Sequence, residues 1–353
     1  MIVNQNSDFL LGFQSTLSNP NGDPDQENKP RMDYETNTVL VSDSRRKRDI
    51  RDFLKNKGYK IFVDTLADQK VPMQIMFEYI RNSWLTDKEK IEILFNDNPN
   101  LREQWENLFG KEEDFLNTYL KKAKNIKGAN EKKEFTRFNN TLLTEIIMKE
   151  LIDIRLFGSA MAVEGVSKTY TGPIQISWGY SLHPAELVKS STITSIMNED
   201  SSTFGKKYKL YYALIAHYGT INKYNAKLTG MTEKDRDLFR KSLVQSMMSN
   251  QTDSKQGQEP LFYFEIIYKP DFDGYLGDLR RFIDVTHKED SIRAIEDIKL
   301  DFTRLNDAIN YMQEKGYIDK VIAWEHPFIK EKYLANVENY DEIDLWTPIK
   351  MGG

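Results

Sequence analysis

The chain has 353 residues, a formal net charge of -5 at pH 7, 39% hydrophobic and 29% charged residues, and no cysteine. This length fits one large domain with insertions or two domains. The lack of cysteine excludes disulfides, thiolate metal sites and a cysteine nucleophile. The acidic balance argues against a uniformly basic surface, but it allows a local basic groove because salt screens exposed charges beyond about 10 Å.

The first residues carry no signal-peptide pattern, and no apolar stretch approaches the ~20 residues that a transmembrane helix needs. We therefore expect a cytoplasmic protein with no membrane partner. The four histidines show no metal-ligand spacing, and no glycine-rich nucleotide-binding motif is present. We expect no metal and no cofactor.

The first predicted elements are a strand, a turn-rich loop and a hairpin. Residues 9–17 are apolar with partial alternation, and Gly12 inside them indicates a bulge or a close backbone approach. Residues 19–24 are Asn-Pro-Asn-Gly-Asp-Pro, which is dense turn chemistry. Residues 31–41 predict a small hairpin that turns at residues 35–37.

A helix with clustered positive charge follows the hairpin. Ser42 or Asp43 is typical of its N-cap, and Gly58 is typical of its end. Clustered guanidiniums on a helix can hold phosphates, and the alternative is a solvated face paired with aspartates of the same helix. Arg46 lies nearest the apolar face at Ile50, so its charge must snorkel or find an anionic partner. The cluster consists of Arg45, Arg46, Lys47, Arg48 and Arg51.

The next region, residues 69–149, is rich in Lys, Glu, Asn and Leu with helical periodicity, which predicts a helical insertion. Residues 124–133 are expected to form an exposed loop within it. Residues 142–154 have a strong amphipathic pattern, which predicts one helix.

The later elements complete an α+β pattern. The order of strands and helices predicts a ferredoxin-like (RNA-recognition-motif-like) core with a helical insertion and a protruding loop. The predicted elements are a strand at 170–179, a Ser/Thr-rich loop or hairpin at 182–207, a strand at 208–221, a helix at 232–248, a strand at 261–268, a helix at 302–312 and a strand at 321–324.

Two short stretches have both a chemical and an ordinary interpretation. Asp23, Asp25 and Glu27 have the spacing that opens a calcium loop, but the later ligand positions do not match, so a turn closed by Asx hydrogen bonds is the better interpretation. Residues 203–207 combine Phe204 with two lysines, which suits base stacking beside phosphate contacts. The alternative there is an ordinary hairpin tip with a buried phenylalanine.

Three blocks, taken together, resemble the backbone subunit of type I CRISPR Cascade complexes, in the I-B and I-C branch of the repeat-associated RNA-binding superfamily. They keep their order and span most of residues 9–270. The first block is 19–25, 30–31 and 40–51, the second is 153–158 and 171–184, and the third is 205–207, 212–214, 217–219, 228–230 and 254–260.

This resemblance implies a hand-shaped protein. A palm would bind the guide RNA backbone, helical fingers would be inserted into it, and a hairpin thumb would press between nucleotides. The implied partners are CRISPR RNA, complementary target DNA, further copies of the chain and other Cascade subunits. The boundaries would be 1–68, 150–181 and 208–353 for the palm and C-terminal elements, 69–149 for the fingers and 182–207 for the thumb.

The resemblance also implies a set of RNA contacts. Arg45, Lys47 and Arg48 would hold guide phosphates, helped by Ser42 at the helix N-terminus. Phe204 would be the apolar wedge of the thumb. The full expected set is Asn21, Lys29, Arg31, Ser42, Arg45, Arg46, Lys47, Arg48, Arg155, Lys168, Thr203, Phe204, Gly205, Lys206 and Lys207.

The sequence departs from the family pattern at the hairpin turn and in the first helix. Asn37, Val39 and Arg46 stand where the family usually has a glycine-containing turn and a leucine. Asn37 can still adopt a positive φ. Whether Arg46 faces RNA stays open at this point.

The leading interpretation is a non-catalytic scaffold that reads the RNA backbone while base pairing supplies specificity. One alternative is an RNA endonuclease of the same superfamily that processes guide RNA or cleaves target RNA, with Asp23 or Asp33 acting on the RNA. The sequence offers no evident general acid–base pair for that chemistry. The second alternative is a protein-interaction module that binds no nucleic acid.

Overall fold

The computed structural model describes residues 1–62, 73–111, 114–163, 166–189, 192–195, 203–289, 291–329, 333–334 and 337–352. Only the backbone is described at residues 73, 160–163, 166–169, 192–195 and 203–205.

The strands are β1 (Ser7–Ser18), β2 (Gly22–Asp23), β3 (Lys29–Pro30), β4 (Met32–Asp33), β5 (Thr38–Val41), β6 (Gly158–Val163), β7 (Val166–Thr171), β8 (Ile174–Ile176), β9 (Gly179–Ser181), β10 (Thr192–Ser195), β11 (Thr203–Lys206), β12 (Leu210–Ile221), β13 (Gln258–Tyr268), β14 (Asp284–His287), β15 (Ile298–Asp301), β16 (Ile318–Glu325) and β17 (Asp341–Glu342). The helices are α1 (Asp43–Asn56), α2 (Met73–Thr86), α3 (Lys88–Asp97), α4 (Pro99–Phe109), α5 (Phe115–Asn125), α6 (Ala129–Glu150), α7 (Ile152–Phe157), α8 (Lys223–Thr229), α9 (Glu233–Ser249) and α10 (Thr303–Glu314).

A mixed sheet forms the centre of this α+β fold. Its strand order is β17-β16-β13-β1-β12-β9-β5-β4, and β8 pairs with β12 beside β9. Only the edge pair β16–β17 is parallel among the described strand pairs of this sheet. Two long strands, β12 and β13, flank β1, so β1 is the strand around which the sheet is built.

The alternation of side chains along β1 supplies a core on each face of the sheet. Phe9, Leu11 and Phe13 join the core that α1 and α9 cover. Leu10 joins the opposite core, which α10 covers together with β14 and β15. The helices α2 to α6 enclose a third core, in which Trp105 packs against several aromatic rings.

Many predicted elements are confirmed. The predicted first strand is β1, and its register against β13 shifts at Gly12 as the glycine indicated. The hairpin turns at Asn37, which has φ +54. Ser42 caps α1 by accepting a hydrogen bond from the backbone N–H of Arg45, and Thr232 forms a capping box at α9.

Three expectations are wrong in detail. The pattern at 142–154 is broken, because Leu151 has extended backbone between α6 and α7. After the break, Ile152 and Leu156 pack in the sheet core, while Ile154 still packs in the insertion core. The expected loop at 124–133 is shortened to residues 126–128, since α5 ends at Asn125 and α6 begins at Ala129. The expected strand at 170–179 is divided among the end of β7, β8 and the start of β9. Pro173, which has no N–H to donate to a ladder, lies at the first of the two breaks.

Within the described residues, no helix combines the length and the apolar character that crossing a bilayer requires.

The close packing at Gly12, where β1 pairs with β13, gives a test of the fold. A Cβ added at Gly12 would overlap the fully buried ring of Phe262. We expect Gly12→Ala to lower the free energy of unfolding by about 1–3 kcal/mol, the range for overpacking a core, as measured by urea denaturation.

Phe262→Leu is the matched partner for this test, because it removes the ring that the new methyl group would strike. The two substitutions together should cost less than the sum of their separate costs. Strictly additive costs would show that the ring contact is not the reason for the glycine.

Candidate nucleic-acid interface

Asn21 joins the turn-rich loop to the first turn of α1. Its Oδ1 accepts hydrogen bonds from the backbone N and the Oγ of Ser42 at 2.9 and 3.0 Å. The Ser42 Oγ in turn accepts a hydrogen bond from the backbone N of Arg45 at 3.3 Å. The loop is therefore fixed beside a helix N-terminus, where N–H groups and the helix dipole favour anions.

The partly exposed cations of α1 pair with aspartates of the same helix. The N–O distance is 2.9 Å between Lys47 and Asp43 and 3.7 Å between Arg45 and Asp49. Both partners of Lys47–Asp43 and Arg48–Asp52 are partly exposed, and such pairs contribute about 0–1 kcal/mol each, so an incoming phosphate can compete with Asp43 and Asp52, whereas Asp49 is buried. The pairs are Lys47–Asp43, Arg48–Asp52 and Arg45–Asp49.

Arg46 does not reach the surface, which corrects the expectation that it contacts RNA. Its side chain is 2% exposed. Its guanidinium lies 5.1 Å from the ring centre of Phe13, and its Nη2 lies 2.8 Å from Oδ2 of Asp49. The physical reason is helical spacing, which puts Arg46 on the buried face with Ile50. Asp49 is the anionic partner that this burial requires.

Asp49 connects α1 to a remote loop. Its Oδ1 accepts a hydrogen bond from Nζ of Lys255 at 2.8 Å, and its backbone O accepts one from Nδ2 of Asn250 at 2.8 Å. Burial alone raises the pKa of Asp49, but attraction by Arg46, Arg45 and Lys255 outweighs burial and lowers it. The buried carboxylate therefore stays ionised and holds cations from two distant segments.

The loop at 250–257, which carries Lys255, was not among the residues predicted for the site. It lies along the turn-rich loop, because Asn19 N donates to Ser254 O and Thr16 N donates to Gly257 O, each at 2.8 Å. Gly257 has φ +97, which permits this close approach. The sequence signal was present only in the resemblance, whose third block includes residues 254–260.

A second group of cations lies at the base of the β10–β11 hairpin. Nζ of Lys206 is 3.0 Å from Oε2 of Glu27, and the Tyr208 hydroxyl donates to the same oxygen at 2.8 Å. Nζ of Lys29 is 5.2 Å from the ring centre of Tyr208. Lys207 and Lys209 pair with Asp253 of the 250–257 loop, at 3.0 and 3.8 Å.

Arg31 lies between the two groups. Its Nη2 donates to Oδ1 of Asp23 at 3.1 Å, and its guanidinium lies 5.4 Å from the ring centre of Trp178. Trp178 is 44% exposed. An exposed aromatic ring beside a cation is typical of a surface that stacks bases. Trp178 was not among the residues predicted for the site, because a tryptophan ending a strand is usually part of the core.

Arg155 makes contacts separate from those above, and its expected RNA contact stays a prediction. Its guanidinium makes two hydrogen bonds to Asp235, at 3.2 and 3.0 Å, and two more to the carbonyls of Met148 and Lys149. These contacts join the end of α6 to the start of α9. The residue is used to hold the fold together.

The hairpin residues need a separate correction. Thr203–Lys206 is a returning strand paired with Thr192–Ser195, so these residues are not the tip of the hairpin. The side chains of Thr203, Phe204 and Lys168 lie outside the described residues, and so does the environment of Gly205. Their expected RNA contacts stay predictions.

The acidic residues of this region close turns. Asp23 Oδ1 accepts a hydrogen bond from Asp25 N at 3.2 Å, which confirms the Asx turn. Asp33 accepts from Thr36 Oγ1 at 2.8 Å and from Glu35 N at 3.0 Å, and these hydrogen bonds lower its pKa. In the part of the chain that the structure describes, no three acidic or histidine side chains gather as a metal site.

This architecture is shared with a chain of a solved structure titled "CRISPR RNA-guided surveillance complex, pre-nicking". The TM-score is 0.52 at 13% identity, and the match covers 96% of this chain and 97% of that one. The fold is therefore of the class found in that complex.

Sequence comparison assigns the family. The model of the family described as CRISPR-associated protein Cas7 matches residues 5–303, so the chain belongs to the Cas7 family. A relative from Haloferax volcanii named "CRISPR-associated protein Cas7" is 22% identical over 318 residues, which is 88% of this chain and 84% of the relative.

The buried charges of α1 give a second test. We expect Asp49→Asn to lower the free energy of unfolding by about 3–5 kcal/mol, because it leaves the buried Arg46 guanidinium without its anion. Arg46→Leu should cost much less, since Lys255 still pairs with Asp49. Urea denaturation followed by circular dichroism measures both variants.

The double variant of Asp49→Asn and Arg46→Leu is the control for this reasoning. It removes the buried cation together with its anion, so it should be more stable than Asp49→Asn alone. A double variant as unstable as Asp49→Asn would contradict the assignment of Arg46 as the charge that Asp49 neutralises.

Proposed function

We propose that this chain is a CRISPR RNA-binding scaffold subunit of a Cascade-type surveillance complex. Membership of the Cas7 family and the fold shared with a chain of an RNA-guided complex support the proposal. The observation that carries it is the grouping of cations on α1, on the base of the β10–β11 hairpin and on the loops beside them, in a chain whose net charge is -5. These cations are Lys29, Arg31, Arg45, Lys47, Lys206, Lys207, Lys209 and Lys255.

The hand-like division is part of the same proposal. Strands in the order β13-β1-β12-β9, with α1 and α9 between them in the chain, fit a ferredoxin-like palm. The helices α2 to α6 would be the fingers, and the β10–β11 hairpin would be the thumb. Several copies would line one guide RNA with other Cascade subunits, in the manner of the I-B and I-C branch, and complementary DNA would be the target.

In this proposal, RNA is read through its backbone. Phosphates would sit at the N-terminus of α1 and on Arg45 and Lys47, in competition with the helix aspartates. The exposed ring of Trp178, beside Arg31, would stack a base without sequence preference. Specificity would come from pairing between guide and target.

The endonuclease alternative is weaker. Asp23 and Asp33, the acids considered for it, are both engaged in closing turns. Incubating the purified protein with repeat RNA and a divalent cation tests it directly. Cleavage that one aspartate substitution abolishes would contradict the scaffold-only proposal.

RNA binding by the palm gives the third prediction. We expect Arg45→Ala with Lys47→Ala to weaken binding of a labelled single-stranded RNA roughly tenfold or more at low salt. The slope of log K against log salt should become shallower by about 1.4, because two phosphate contacts are lost. Fluorescence anisotropy across a salt series measures both quantities.

Lys299→Ala with Arg304→Ala is the matched control, since it removes the same two charges on β15 and α10, across the sheet from α1. This control should change the RNA affinity little. Equal losses in the two double variants would mean that net charge, and not the α1 surface, determines RNA binding.

A further inference from the structure

One carboxylate lies among the cations at the base of the hairpin. Glu27 accepts from Nζ of Lys206 at 3.3 and 3.0 Å through its two oxygens, and from the Tyr208 hydroxyl at 2.8 Å. Glu27 and Asn28 both have positive φ, +51 and +61. This backbone brings the Glu27 side chain across to a hairpin 179 residues further along the chain.

A second carboxylate holds the other side of the same hairpin base. Asp253 is paired with Lys207 at 3.0 Å and lies 3.8 Å from Lys209. The side chains of Glu27 and Asp253 are more than half exposed, so an outside anion can reach the same lysines. Three basic side chains, Lys206, Lys207 and Lys209, are thus already paired with carboxylates from two loops.

We propose that Glu27 and Asp253 occupy the positions on Lys206, Lys207 and Lys209 that phosphates of single-stranded RNA take when RNA binds. RNA then binds by exchange, with each phosphate displacing a carboxylate of the chain itself. This inference rests on the proposed function, and it adds two acidic residues that determine which RNA is bound.

The exchange makes binding selective for length. A single phosphate gains little by replacing a single carboxylate, because both make similar ion pairs with the same ammonium group. A continuous RNA strand that replaces several carboxylates at once makes its later contacts intramolecularly, at high effective concentration. Nucleotides and short RNA fragments are therefore held poorly, and a long guide is retained.

The Glu27 contact can be tested without any RNA. Hydrogen bonding and attraction by Glu27 raise the pKa of Lys206, so less of the reactive free amine is present. We expect Glu27→Gln to speed acetylation of Lys206 roughly two- to threefold, measured by mass spectrometry of the RNA-free protein. Glu35→Gln is the matched control, because it removes one exposed carboxylate from the turn between β4 and β5. An unchanged Lys206 rate in Glu27→Gln would overturn the proposal.

RNA binding then tests the exchange. With a short labelled single-stranded RNA that holds one copy, Glu27→Gln should bind about two- to fivefold tighter than wild type at low salt. Its salt dependence should be steeper, because no released carboxylate has to take up a cation. Adding Asp253→Asn should increase both effects. As a fraction of the total binding free energy, the gain should be smaller for a long RNA than for a short one.

The outcomes separate this inference from the proposed function. If neither wild type nor Glu27→Gln binds RNA, the proposed function fails. If both bind RNA with equal affinity and salt dependence, or Glu35→Gln gives the same gain, the RNA-binding function stands and the carboxylate exchange is overturned.

Discussion

A single buried carboxylate determines how this part of the molecule is assembled. Asp49 faces the guanidinium of Arg46 inside the core and the ammonium of Lys255 from a loop more than 200 residues later. A buried charge without partners is strongly destabilising, so the position of α1, the buried arginine and the remote loop depend on each other. The hydrogen bonds from Ser42 to Asn21 then fix the turn-rich loop to the same helix.

The surface around α1 and the turn-rich loop is rich in lysine and arginine, but ion pairs make it nearly neutral in charge. Most of its lysines and arginines have a carboxylate within reach, as Lys47 has Asp43 and Lys206 has Glu27. This pairing reconciles a net charge of -5 with the proposed nucleic-acid interface. In the exchange that we propose, affinity would depend on how many of these weak pairs a ligand replaces together, and a repeating polyanion would replace many.

The sequence predicted the parts of the fold that local patterns encode. The bulge at Gly12, the turn at Asn37 and the cap at Ser42 each follow from the conformational preference of one residue. The break at Leu151 could not be predicted, because both helices around it are apolar on one face and only tertiary packing decides which core each face meets.

The candidate site was predictable only in part, for a similar reason. The basic first turns of α1 and their cap were evident from spacing, and Arg46 was marked as a charge in need of an anion. That Asp49 would be shared with Lys255, or that Trp178 would lie over Arg31, depends on contacts between distant segments. The pairing of Arg155 with Asp235 could not be predicted either, because the family motif does not show which anion an arginine meets.

The most direct test is native mass spectrometry of the protein assembled on guide RNAs of increasing length. We expect stable particles that contain RNA and gain one whole copy of the chain at each constant increment of RNA length. Particles without RNA, or a copy number that does not follow RNA length, would contradict a scaffold that lines its guide.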